Sequence, residues 1–115
     1  MAKTYDIRRI IKDSVDIGGE VNTKPVLTDN ATITNVVASL TEVVLQATNS
    51  LRRELVIHNS SNGILYVICG TGVTATNYTY KLSREDYVII DTYRGQVNGI
   101  FTNATGFAMV TEKFY

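Results

Sequence analysis

From Ala31 to the C-terminus, apolar and β-branched residues come in short bursts separated by turn residues. The bursts predict strands at Thr32–Leu40, Glu42–Ala47, Leu55–Ile57, Ile64–Ile68, Tyr78–Leu82, Tyr87–Ile90, Gln96–Thr102 and Phe107–Glu112. Their side chains suit a pleated, half-buried surface. Thr48–Ser50, Gly70–Gly72, Ser83–Asp86, Tyr93–Gly95 and Asn103–Gly106 supply the breaks between them. About eight short strands at near-regular spacing predict an all-β fold, an antiparallel β-sandwich of jelly-roll or Ig-like type. The stretch Leu51–Gly70 organises this pattern. Its apolar runs Leu55–Ile57 and Ile64–Ile68 flank the polar His58–Gly63, and the closing Asn62-Gly63 reads as the turn of a β-hairpin. Gly99, inside a strand, marks a bulge or a close backbone approach.

Residues 1–30 follow a different rule, so the chain divides into an N-terminal arm, 1–30, and a β-sandwich domain, 31–115. Tyr5, Ile7, Ile10, Ile11 and Val15 lie near a helical period, which allows a short helix over Tyr5–Ser14 with Thr4 as its N-cap and Gly18-Gly19 as its end. Val15-Asp16-Ile17 and Val21-Asn22-Thr23 also alternate, so an extended arm is the rival reading. Neither run is long enough to fold alone, since an isolated helix under ~12 residues is marginal in water. The arm needs a surface, its own domain or a neighbouring subunit.

Two strands have no polar face. In Ile64–Ile68 and Tyr87–Ile90 apolar residues occupy both parities, whereas a sheet wet on one side should alternate. The second faces therefore call for a cover, and burying one stabilises at about 25 cal/mol per Å² of apolar area. Candidate interface residues are Ile64, Tyr66, Ile68, Tyr87 and Ile89 on the domain, with Tyr5, Ile7, Arg8, Arg9, Ile10 and Ile11 on the arm. Surplus apolar strand surface on a small chain points to a homo-oligomer.

Composition narrows the partners. Lys and Arg total 11, as do Asp and Glu, so the chain lacks the basic excess of a nucleic-acid binder. No apolar run approaches the ~20 residues of a spanning helix, and the N-terminus lacks the apolar segment of a secretory signal. One cysteine, Cys69, allows no intramolecular disulfide and fits folding in a reducing cytoplasm. His58 stands alone among histidines and cannot build a zinc site with clustered partners; a polar turn residue is its plain role. Cys69 follows an apolar run, as buried structural cysteines do. Glu85, Asp86 and Asp91 are the densest carboxylates, the pairing that glycoside hydrolysis needs. Beside Arg84 and Arg94 they read as solvated turns instead. No catalytic residue, cofactor or metal is expected.

Tyr66, Tyr78, Tyr80, Tyr87 and Tyr93 could make a sugar platform, but without tryptophan they fit packing and interface roles better. The basic pairs Arg8-Arg9 and Arg52-Arg53, offset by Asp6 and Glu54, suit docking contacts rather than phosphate binding.

Several spaced residues carry a resemblance. They are Arg52 or Arg53, Leu55, Ile57, Asn59 and Ser61; Leu65-Tyr66-Val67 and Gly70; Thr76-Asn77-Tyr78-Thr79 and Leu82; Tyr93, Gly95, Val97, Gly99 and Ile100; Gly106 and Val110-Thr111-Glu112. In order and spacing, this region, about 40–112, resembles small β-sandwich structural proteins of tailed-bacteriophage particles. Two departures are the charged turn Ser83–Asp86, where a Pro-Gly type turn is expected, and Phe101, where tryptophan is expected. The resemblance implies a non-enzymatic virion protein made in the host cytoplasm. A capsid decoration or cement protein is the first expectation, self-associated, with a trimer favoured, and bound to the major capsid protein or other virion proteins. Head–tail connector, neck or tail accessory proteins and a host-recognition carbohydrate module are the alternatives.

Overall fold

A computed structural model describes residues 30–115; the expected arm helix or strand, with Tyr5, Ile7, Arg8, Arg9, Ile10 and Ile11, lies outside them. Eight strands follow in order: β1 (Asn30–Val37), β2 (Val43–Gln46), β3 (Arg52–Ser61), β4 (Leu65–Cys69), β5 (Tyr80–Leu82), β6 (Tyr87–Ile90), β7 (Val97–Phe101) and β8 (Gly106–Phe114). They build two four-stranded antiparallel sheets, β1-β8-β3-β6 and β2-β7-β4-β5. The pairs β1 with β8, β2 with β7, β3 with β6 and β4 with β5 make the chain one long hairpin. Folded at the β4–β5 connection and rolled up, it passes from sheet to sheet at every connection except that one. This is the jelly-roll arrangement. An Ig-like sheet would place β1 beside β2.

The predicted strands all exist, but the organising stretch is not a hairpin. β3 continues past Ile57 to Ser61 and pairs with β6 and β8, while β4 belongs to the opposite sheet. The reason is Asn59, fully buried on the inner face. Its Nδ2 donates toward the carbonyls of Gly63 (2.8 Å), Leu82 (3.0 Å) and Ser83 (3.1 Å), and its Oδ1 accepts from the Ser61 amide and hydroxyl. Polar residues that read as a turn are thus a satisfied inner face, and alternation continues through them. Asn62-Gly63 turns the chain across the core instead of back along β3.

Leu55, Ile57, Val110, Ala108 and Ile90 of one sheet meet Leu45, Leu65, Val67, Val97, Phe101 and Leu82 of the other. Gly99 is a close approach: a Cβ there would stand 2.8 Å from Leu45 Cδ1 and 3.0 Å from Leu65 Cδ1. The bulge lies on its neighbour, β2, between Val44 and Gln46. That explains why Glu42–Gln46 alternates poorly.

In the turn Ser83–Asp86, the Asp86 amide reaches the Ser83 carbonyl (3.0 Å) and Glu85 has φ 68°. A glycine would suit that position, so the backbone matches a Pro-Gly turn although the residues do not.

Gly106 opens β8 at φ 102°, and a Cβ there would lie 2.6 Å from the Ser60 carbonyl oxygen. Neither the backbone nor β3 can yield cheaply. Gly106→Ala is expected to destabilise the domain by about 2 kcal/mol or more in urea unfolding, without changing the folded baseline.

Candidate interaction surface

A polar cluster holds one end of the sandwich. Arg52 is 1% exposed, and its Nε donates to Glu112 Oε2 at 2.8 Å. Its Nη1 reaches the carbonyls of Gly95 (2.9 Å) and Tyr93 (3.3 Å), and its Nη2 the carbonyl of Ala47. Gln46 donates to the second oxygen of Glu112 at 3.2 Å. Two bulges make this possible. The β3–β8 register skips between Arg52 and Glu54, which turns Arg52 inward although Leu55 is inward too. The β2 bulge likewise brings Gln46 opposite the buried Val97, on the inner face. The Arg52-Arg53 pair therefore divides. Arg52 is a core clamp and not a docking contact, while Arg53 lies over the Tyr115 ring, 3.9 Å from its centroid. Glu54 pairs with Lys113 at 3.0 Å instead of offsetting its neighbours.

The carboxylates are not assembled for hydrolysis. Glu85 faces His58 at 3.3 Å, and Asp86 accepts from the Ser83 amide at 3.0 Å. Asp91 lies beyond the far end of β6, roughly 17 Å from Asp86 at strand spacing, too far for a paired mechanism. No three His, Cys, Asp or Glu side chains cluster as metal ligands among the described residues. Burial pushes the Cys69 thiol up, away from the thiolate form a nucleophile needs.

The candidate interface residues separate onto opposite outer faces. Ile64 precedes β4, half-buried, with its amide on Thr102 Oγ1. Tyr66 and Ile68 point outward from the β2-β7-β4-β5 sheet and are half-buried. Part of their cover comes from the chain itself: Tyr78 packs on Tyr66 with centroids 4.9 Å apart, and the Thr79 amide bonds to the Val67 carbonyl. The rest of that excursion is anchored by Glu42, whose Oε2 accepts from Asn98 Nδ2 (2.6 Å) and the Gly72 amide (2.8 Å). The tyrosines are scattered, since Tyr80 and Tyr93 pack against the core and Tyr87 lies on the other sheet.

The outer face of β1-β8-β3-β6 is different. The register lines up Ile33, Thr111, Val56 and Ile89 in one row, Asn35, Met109, His58 and Tyr87 in the next, and Val37, Phe107 and Ser60 beyond. Ile33 is 68% exposed, Val37 72%, Tyr87 63% and Ile89 48%. Sequence reasoning found Tyr87 and Ile89 but missed Ile33, Val37 and Met109. Their parity in Thr32–Leu40 and Phe107–Glu112 was readable; which parity faced out was not.

No family model, curated protein or solved structure matches the chain.

Two outcomes follow from the polar contacts. Arg52→Met leaves the Glu112 carboxylate buried without its cation and should cost about 3–5 kcal/mol. Adding Glu112→Leu should recover part of that loss in a double-mutant cycle by urea unfolding. The Asn98 side chain, then the Gly72 amide, hold the Glu42 carboxyl below its ordinary 4.5. A depressed folded value stabilises above the unfolded pKa and is lost as pH falls through the folded one. In an NMR titration the Gly72 amide should shift with a midpoint below 4.5, and Glu42→Gln should abolish that step.

Proposed function

We propose that this chain is a non-enzymatic structural protein of a bacteriophage particle, a decoration or cement protein that self-associates and docks on the shell through the outer face of its β1-β8-β3-β6 sheet. The observation that carries the docking part is the set of exposed apolar side chains on that face, Ile33 and Val37 on β1, Met109 on β8, and Tyr87 and Ile89 on β6. Covering such a face contributes on the order of several kcal/mol. The virion part rests on the resemblance over about residues 40–112. The jelly roll is compatible with it, but that fold also serves lectin domains and cupins, so it does not choose among functions. A head–tail or tail position is the alternative within the same class. The carbohydrate module loses support because the five tyrosines do not share a surface.

The test is quantitative mass spectrometry of purified particles of the phage encoding the chain. A shell protein should be present in many copies, scaling with the major capsid protein. Tyr87→Asp with Ile89→Asp should fold normally, because both side chains are exposed, yet lower that copy number at least about tenfold. Absence of the wild-type chain from particles would sink the proposal.

A further inference from the structure

A jelly roll has four edge strands, and three of these are guarded. β2 is four residues long and bulged, β5 is three residues and carries Lys81, and β6 is four residues set between Asp86 and Asp91. Short length, bulges and charge are how sheets avoid pairing with other chains. β1 has none of these. It runs eight residues, Asn30–Val37, in unbroken register with β8, with no charge and no proline. It is also wet on both faces. Its inward residues Thr32 and Thr34, opposite the buried Glu112 and Val110, are themselves exposed, and so are Ile33 and Val37 outward. A long uncharged strand that among the described residues pairs only with β8 is a template for strand addition.

We propose that the free edge of β1 pairs antiparallel with β1 of a second copy of this chain, making one eight-stranded sheet across a two-fold axis. Charge selects this occupant. Antiparallel isologous pairing sets the residues nearest the axis beside their own copies, so a charge in the middle of the strand would repel itself; Asn-Ala-Thr-Ile-Thr-Asn-Val-Val carries none. An axis perpendicular to the sheet also keeps both outer faces on one side. Ile33 and Val37 of the two copies then lie on the same side as Val56, Met109, Tyr87 and Ile89, with Thr111, Asn35 and His58 interspersed. Such an edge closes at two copies, in contrast to the trimer expected from the sequence. The inference concerns only the self-association part of the proposed function and holds or fails without reference to a particle.

The test is sedimentation of the full-length chain, wild type beside Ile33→Lys and Ile33→Glu. Ile33 is exposed, so either charge should leave the fold intact by circular dichroism. Wild type should dimerise, and each variant alone should dimerise at least about tenfold more weakly because like charges meet near the axis. Mixing the two variants should restore dimers, which a folding defect would not do. A monomeric wild type overturns the proposal. So does an oligomer indifferent to both charges, which would place the contact on another surface or on the arm.

Discussion

The buried contact between Arg52 and Glu112 sets the geometry of the jelly roll at one end. Two long strands, β3 and β8, carry the partners, and the guanidinium also gathers carbonyls from the β2–β3 and β6–β7 connections. A charge so far from water is tolerable only with its donors used, and all three of its nitrogens have partners. Neither bulge looks purposeful alone. Together they aim Arg52 and Gln46 at the same carboxylate. With that end closed, and Asn59 closing the β3–β4 crossover, the two halves of the long hairpin have little freedom of register.

This rigidity shapes what remains available outside. The β2-β7-β4-β5 sheet covers part of its outer face with its own excursion, anchored through Glu42, Asn98 and the Tyr66–Tyr78 contact. Among the described residues, nothing covers the outer face of the β1-β8-β3-β6 sheet or the long edge of β1. Apolar cover and edge pairing are different demands, and both fall on the same sheet. His58 on β3 faces Glu85, Asp86 closes its own turn on the Ser83 amide, and burial holds Cys69 toward its thiol form.

Strand content and fold class were legible because β-branched bursts and glycine breaks report local preference directly. Tyr87–Ile90 matches its strand residue for residue. Pairing was less legible. Asn59 and Ser61 read as turn residues, yet they lie inside β3, since a buried amide with satisfied partners serves as an inner-face residue. Arg52 beside Arg53 looked like a surface pair, and only the bulge reveals that one of them faces the core. For the interface, two-sided apolar strands were visible in sequence. Which second face the chain would cover itself depended on contacts such as Glu42 with Asn98, 56 residues apart.

Hydrogen exchange at the β1 amides tests the shared-sheet claim most directly. On a free edge, alternate amides point to water and exchange fast; on an interior strand every amide is protected. A shared edge predicts slow exchange at consecutive residues from Ala31 to Val36, strengthening as protein concentration rises. Fast exchange at every second β1 residue, at all concentrations, would contradict it.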